Sequence, residues 1–315
     1  MIRVLSSLLC QRLIQAGLVA WVVGTLTFLL TRALPGDMAY RIAAGRYGYE
    51  QVNAAAAEAV RAELALDGSP LNAYLQWIGD LLHFDLGRSL VSGDTVTAEL
   101  AHQLGHSVDL ALMAVLLAFA IGLPLGIASG LKRHGTVDRL GLAGAVALRS
   151  LPPFVIGLLL VMLFSVTLGW LPAAGYGTTA HLWLPALSLA LGLAAVSGRV
   201  TRHAMARVAD SPYYAFSRTK GLSGWQTLRR HGLRNVGVPV VAYLGVQLIY
   251  LVEGVVVIES LFAWPGIGHA LVHAVVARDV PMIQGTALVM GLGFVLLNTL
   301  VDLACLLIDP RRRLA

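Results

Sequence analysis

The sequence predicts an all-α integral membrane protein, and three observations carry that prediction. Of 315 residues, 57% are hydrophobic and 13% charged, against about 45–50% and about 25% in a soluble domain. The apolar residues gather in uncharged runs near the roughly 20 residues that a helix needs to cross a bilayer. The net charge is nonetheless +6, and its basic residues lie on alternate sides of those runs. An ordinary soluble enzyme would not leave so little charge for its surface, and a disordered chain would not be this apolar.

Six spans follow in order. Residues 13–31 carry no charge; the run exceeds the 7–15 residues or so of a signal-peptide core and lacks a small-x-small cleavage site, so it reads as a retained first helix. The second span is 110–131, again uncharged. The third runs from about 140 to 170 and is interrupted by Arg149 and the pair Pro152-Pro153. The fourth is 182–198. The fifth, 236–258, contains Glu253, and the sixth, 283–308, contains Asp302. Pro124, Pro152, Pro153, Pro185 and Pro239 fall in or beside spans, where proline opens the backbone ladder and permits bending.

Orientation follows from the Lys/Arg distribution. With the N-terminus inside, segments 1–12, 132–139, 199–235 and 309–315 are cytosolic and hold 16 Lys+Arg, whereas the opposite side holds five. Both termini are therefore expected in the cytosol. The outer segment 35–106 holds nine acids, and its Ala-rich stretch 54–65 has high helix propensity. It is expected to form a small folded cap between the first and second spans. The expected organisation is a tail and first span (1–34), the cap (35–106), a core of five spans (107–308) and a cytosolic tail (309–315). Cys10 and Cys305 both fall near the cytosolic side, so no disulfide is expected. No internal repeat or low-complexity tract is present.

Several chemistries are missing. The two lysines, Lys132 and Lys220, sit outside any G-x-x-x-x-G-K-[ST] loop, and no G-x-S-x-G, H-E-x-x-H or C-x-x-C motif occurs. The chain reads as a non-enzyme; any ATP and its Mg would be bound by another subunit, and no cofactor is expected here. His102/His106 and His269/His273 have the i,i+4 spacing that could present two imidazoles on one helix face, but no further ligand completes either set. They are read as loop or interfacial histidines, with no metal site.

Segment 199–235 holds half of the inner basic residues and one acid, Asp210. Asp210-Ser211-Pro212 is a helix start. A short helix over 213–220 then stops at Gly221, a candidate left-handed C′ residue, and a second helical piece follows over 224–234. A helix–glycine–helix of this kind suits docking to a soluble partner; the alternative is a basic loop resting on anionic headgroups.

The sequence of this loop, RTKGLSGWQTLRRHGLRNVGVPVV at 218–241, resembles the EAA-type coupling loop of ABC-importer permeases, closest to the dipeptide/oligopeptide/nickel family. Other segments agree in order: LPGD at 34–37, LHFDLGRSL at 82–90, IGLPLGI at 121–127, LGWLPAAGYG at 168–177, FAWPGIGHALVHAVVARDVPMIQG at 262–285 and VDLACLLIDPR at 301–311. Ala215 stands where the broader pattern has an acid, and Leu233-Arg234 where it has Leu-Pro. The resemblance implies the type I ABC importer permease fold and the first-permease role. It also implies a homologous second permease, two cytosolic P-loop ATPases and an extracytoplasmic binding protein as partners, in the bacterial inner membrane. Carried over, the ATPase-coupling residues would be Tyr213, Tyr214, Ser217, Arg218, Lys220, Gly221 and Leu222. The implied substrate is a di- or oligopeptide, with nickel or a metal–chelator complex as the alternative within the family. A gradient-driven transporter would need no docking loop, and a non-transporting membrane scaffold would show no substrate-dependent ATPase activity with its partners. Ionisable residues in spans tend to face a path or a partner, which marks Arg149, Glu253 and Asp302 as transport-path candidates and Arg149–Asp302 as a candidate pair. The basic balance reflects orientation and docking, with no nucleic acid expected.

Overall fold

The structure, a computed structural model, describes residues 2–33, 36–48, 50, 52–64 and 70–308. Among these residues every regular element is helical, apart from one isolated bridge between Arg88 and Thr95. The tail 309–315, Leu34 and Pro35 of the LPGD motif, and the side chains of Glu253 and Cys305 lie outside what is described.

The helices run well beyond the apolar runs that predicted them. The first span belongs to α1 (Ile2–Ala33), the second to α5 (Val96–Leu131), the fourth to α8 (Ala180–Ala209), the fifth to α11 (Leu233–Leu261) and the sixth to α13 (Val280–Ile308). At 1.5 Å per residue, the 36 residues of α5 extend about 54 Å, nearly twice the roughly 30 Å hydrocarbon core, so the helix is longer than a single crossing needs. Among the described residues four helices are long and apolar enough to cross a membrane: α1, α5, α8 and α13. The third expected span is not one straight helix. It divides into α6 (Thr136–Ser150) and α7 (Pro153–Leu160), bent by 105°. Pro152 and Pro153 explain the break, because Pro152 lacks an N–H and disfavours the helical conformation at Leu151, which is extended at φ −102°, ψ 134°. A π-helical turn, Val161–Thr167, continues α7.

One compact unit comprises Val108–Trp264 together with the described residues up to Val4 and from Leu296 onward. Its organising contact is a backbone-to-backbone approach of α5 and α8. Gly122, Gly126 and Gly130 recur every four residues and line one face of α5. A Cβ at Gly126 would lie 2.5 Å from the Gly198 carbonyl oxygen, and one at Gly130 would lie 2.7 Å from that of Arg202. Lipid offers no hydrophobic drive for helices to associate, so close van der Waals packing through small residues is what holds such pairs. Leu110, Ala114, Leu184, Ala190, Ile258 and Phe262 form the main core around this crossing.

Residues Leu5–Ser107 and Pro265–Val295 form the second unit. Here α2 (Met38–Tyr47) packs on α3 (Ala54–Leu64) through Ala39, Ile42, Ala43 and Val60, and α3 covers the helix expected over 54–65. Asp37 caps α2, accepting from the Ala39 and Tyr40 N–H groups, and also pairs with Arg61 at 2.7 Å. Burial alone would raise the Asp37 carboxyl, but the Arg61 guanidinium and the two N–H groups outweigh it and hold it below the usual carboxylate value. The amphipathic α4 (Pro70–Leu82) sets Trp77 against Gly24 of α1, with Tyr74 hydrogen-bonded to Thr25 at 2.8 Å.

The same unit contains a buried carboxylate clamp. Asp279, 3% exposed, follows α12 (Ile267–Ala277), caps α13 at the Met282 N–H, and accepts from the Ser89 hydroxyl and the Leu90 and Val91 N–H groups. Arg278 beside it is left-handed at φ 56° and donates to the Gly36 carbonyl at 3.0 Å.

The glycine stripe supplies a direct test. Gly126→Val is expected to destabilise the protein by about 1–3 kcal/mol through overpacking, read as a lower melting temperature in detergent. Gly192→Ala on α8, where a Cβ meets nothing within 4 Å, should leave that temperature unchanged.

Candidate functional site

The strongest candidate site is the loop between α8 and α11. Asp210 ends α8, and Ser211, extended at φ −75°, ψ 143°, begins α9 (Pro212–Thr219) with Pro212 at its first position. Proline suits that position because the N–H it lacks would have no helical partner. Ser211 is the capping residue by position only; its hydroxyl turns back to the Val208 carbonyl instead of capping α9. Helix α9 stops as expected. Gly221 has φ +82°, its N–H reaches the Arg218 carbonyl at 3.0 Å, and the Leu222 N–H reaches that of Ser217 at 3.3 Å. This pair of bonds is the Schellman arrangement, which needs a left-handed residue and so favours glycine.

The second helical piece departs from its expected extent. It starts at α10 (Gly224–Thr227), passes through a π-helical turn at Leu228–Gly232, and runs directly into α11. Ser223 and Gln226 close a reciprocal capping box at its start. The spacing S-x-x-Q was the available signal for it. Helix α10, the π-helical turn and α11 thus follow one another without interruption, from Ser223 into a long apolar helix.

The seven residues expected to couple divide into two groups. Tyr214 and Ser217 point inward: Tyr214 packs with Met205, Val208, Leu228, Val236 and Val240, and the Ser217 hydroxyl donates to the Tyr213 carbonyl at 2.8 Å. Burial raises the Tyr214 phenol above its ordinary pKa, against the opposing effect of the Arg218 charge. Tyr213, Arg218, Lys220 and Gly221 are exposed, and Leu222 is half-buried. Two exposed aromatics join them that sequence reasoning missed, Phe216 at 60% and Trp225 at 67% exposure. The Lys220 ammonium lies 4.8 Å from the centre of the Phe216 ring, a cation–π contact. The outer surface of the loop is thus aromatic and cationic, and its inner surface is anchored.

Two ion pairs fix segment 132–139 to α8 and its end. Arg133 meets Asp210 at 2.9 Å. Arg202 grips Asp138 with two nitrogens, while Asp138 also accepts the His134 N–H at 2.9 Å. Asp138 is 4% exposed, so its charge has been withdrawn from water and depends on that grip.

The candidate path residues occupy distinct places. Arg149 is in the last turn of α6, at the sharp break before α7, and is exposed. Asp302 is half-buried near the end of α13, and Glu253 lies on α11. Glu259, fully buried in α11, was missed, although a Glu within the run VVVIESL was visible. Past α11, Phe262 and Trp264 are buried and meet the 168–177 motif: the Gly175 N–H donates to the Phe262 carbonyl at 2.8 Å, and Tyr176 stacks edge-on to Trp264 at 5.3 Å. Motifs nearly ninety positions apart in sequence therefore pack together. In each histidine pair the rings touch, with centres 4.7 Å apart for His102/His106 and 4.5 Å for His269/His273. No group of three or more His, Cys, Asp or Glu is placed to hold a metal ion among the described residues.

The division of the loop is testable. Tyr214→Ala is expected to cost about 3–5 kcal/mol of stability, as for a truncated core aromatic, whereas Tyr213→Ala should stay within about 0.5 kcal/mol. Chemical or thermal unfolding of the two purified variants distinguishes them.

Comparison with known proteins places these features. Residues 122–314, more than half of the chain, match the family described as binding-protein-dependent transport system inner membrane component. A protein of Brucella abortus (strain 2308) named as a peptide transport system permease is 39% identical over 317 residues, covering 98% of this chain and 99% of that one. The glutathione transport system permease protein GsiC of Pectobacterium atrosepticum is 40% identical over 292 residues, covering 93% of this chain and 94% of its own. Among solved structures, an amino acid ABC transporter crystallised with histidines shares the fold at a TM-score of 0.52 and 14% identity, over 66% of this chain and 94% of that one. The chain accordingly belongs to the binding-protein-dependent transport system inner membrane component family and is a permease subunit of an ABC importer.

Proposed function

We propose that this chain is one of two homologous permease subunits of an importer for di- and oligopeptides, driven by ATP bound with Mg on two separate cytosolic ATPases. The observation that carries the substrate class is end-to-end similarity at 39% and 40% identity to relatives named for peptide and glutathione transport. Six spans are proposed: α1, α5, the bent pair α6–α7, α8, α11 and α13. Sixteen Lys+Arg against five favour both termini in the cytosol of a bacterial inner-membrane protein. Segment 35–106 is then an extracytoplasmic cap facing the binding protein, 107–308 the permease core, and 199–235 the coupling loop.

The mechanism follows from how that loop is built. Tyr213, Phe216, Arg218, Lys220 and Trp225 present aromatic and cationic groups suited to an apolar groove with acidic edges on an ATPase. Tyr214 and Leu228 seat the other side of the loop on α8 and α11. When ATP draws the two ATPases together, α9 and α10 move with them, and the α10–α11 rod carries that movement into the membrane. Rigid-body rocking between inward- and outward-open states is the transition such a lever drives. Arg149, Glu253 and Asp302 are proposed to line the path. A free peptide carries an ammonium and a carboxylate at its ends, so a path needs groups of both signs.

Gly221 tests the lever. A β-branched residue at φ +82° costs about 1–3 kcal/mol, so Gly221→Ile should distort the turn after α9. The expected result is a transporter that still assembles with its ATPases but whose peptide-stimulated ATP hydrolysis falls by about tenfold, the rate equivalent of 1.4 kcal/mol. Wild-type stimulation in the assembled variant would remove this loop from coupling. The path assignment has its own measurement. Arg149→Ala should lose peptide uptake at unchanged membrane abundance; loss of abundance with normal uptake per molecule would assign Arg149 to packing instead.

A further inference from the structure

The carboxylate clamp of the second unit borders a cavity of about 350 Å³ to which the transport cycle above gives no role. Its polar lining comes from the 83–95 loop (Ser89 and Ser92), the first turns of α5 (Glu99 and Gln103), α12 (His273) and Asp279. Glu99 and Gln103 are four residues apart and so share one face of α5. The Ser92 hydroxyl donates to Glu99 Oε1, which turns the carboxylate within the lining. Gln103 Oε1 is buried and has no hydrogen-bond partner. A buried acceptor left without a donor is costly, and native structures rarely keep one without a reason.

The charge of this lining has one sign. Glu99 and Asp279 are carboxylates, and no lysine or arginine is among the lining residues. Asp279 is already engaged by Ser89 and the N–H groups of Leu90, Val91 and Met282. It adds field to the cavity, while Glu99 and Gln103 Oε1 supply the acceptors. An anion would be repelled here, and a neutral apolar group would leave the Gln103 carbonyl unsatisfied. A cation with several N–H donors answers both features. Guanidinium suits it best, since its planar fork can reach two acceptors at once.

We propose that this cavity is a socket for a basic side chain, arginine before lysine, of the extracytoplasmic binding protein. Glu99 forms the charge-assisted hydrogen bond and Gln103 Oε1 takes a second N–H. The inference rests on the importer reading and on the outward placement of segment 35–106. That segment carries nine acids against four basic residues, a field that would steer a basic contact surface toward it.

The test uses the assembled transporter in lipid nanodiscs and its binding protein, with affinity measured in the absence of peptide. Glu99→Gln is expected to weaken binding on the order of tenfold, as loss of one charge-assisted hydrogen bond would. Gln103→Met should weaken it several-fold, both mainly through faster dissociation. Free methylguanidinium should compete with the binding protein on the wild-type transporter, a readout that needs no variant to fold. Unchanged affinity in both variants together with no competition would overturn the proposal. If Glu99→Gln instead spares binding-protein affinity and lowers only the ATPase response to Arg- or Lys-bearing peptides, the cation is the substrate's and the assignment to the binding protein falls. Failure of the importer reading would look different, since the wild-type transporter itself would then show neither binding-protein association nor peptide uptake.

Discussion

The approach of α5 to α8 through Gly122, Gly126 and Gly130 is the constraint on which the first unit depends. In water, burial of apolar surface would hold two helices together at ordinary separations. In lipid that drive is absent, and attraction grows only when backbones come close enough for many van der Waals contacts. Gly122 and Gly126 on α5 meet Gly198, Ser197 and Thr201 on α8, and Gly130 lies against the Arg202 backbone and the Met205 Cβ, so at each contact it is the missing side chain on α5 that lets the backbones approach. The hydroxyls there do not waste the proximity. Ser197 and Thr201 donate to the Leu193 and Ser197 carbonyls of their own helix at 2.9 and 2.7 Å, leaving no polar atom in need of water.

Fixing α8 in this way positions most of what surrounds it. Helices α6, α7, α9 and α11 all pack on it. The ion pair between Arg202 and Asp138 ties the first turn of α6 to it, and Arg133–Asp210 ties the preceding segment to its end. The loop after α8 therefore leaves from one anchored helix and returns as the continuous start of another. A loop with two flexible junctions would absorb a push. Here the Schellman turn at Gly221 and the capping box at Ser223 bound a connection of only four residues between α9 and α10, so little slack remains between them. The same economy explains why Tyr214 matters without being exposed: it joins α9 to the Met205 and Val208 face of α8 and to Val236 of α11.

Much of this was legible in the sequence, and what escaped did so for physical reasons. The spans announced themselves through uncharged length, and the Gly221 stop through the one residue type that tolerates φ +82°. Helix ends were underestimated because apolar runs report bilayer thickness, whereas α5 and α8 continue beyond those runs as ordinary polar helices. Arg149 and Pro152-Pro153 were visible within the third span, yet the size of the bend depends on what α7 packs against, which no local pattern states. The glycine stripe was present as G-x-x-x-G-x-x-x-G but was read only as part of a family motif. The split of Tyr213 from Tyr214 follows from a 100° rotation per residue on α9, and it needed the position of α8 before inside and outside could be assigned. Glu259 shows the limit most clearly: its burial follows from tertiary packing and from nothing in its neighbours in the chain.

The second unit solves a different problem, that of tying the segment between α1 and α5 to the stretch around α12 and the start of α13. Its apolar core is divided between a cluster around Ile42 and Val60 and a second one around Val96, Leu100, Ile267 and Met282. Asp279 adds to this by bonding to groups that are distant in sequence but local in space. One carboxylate caps α13 and holds the Ser89–Val91 backbone, while the adjacent Arg278 holds Gly36. Such a clamp is worth most when every lone pair is used, because a partly satisfied buried carboxylate costs more than none. Having spent its acceptors internally, Asp279 leaves its neighbouring cavity negative in potential, with Glu99 and Gln103 as the acceptors on α5 and the His273 ring beside them. Recognition there consequently leans on Glu99 and Gln103, one helical turn apart on α5, which makes the geometry of the clamp a determinant of what the cavity can admit.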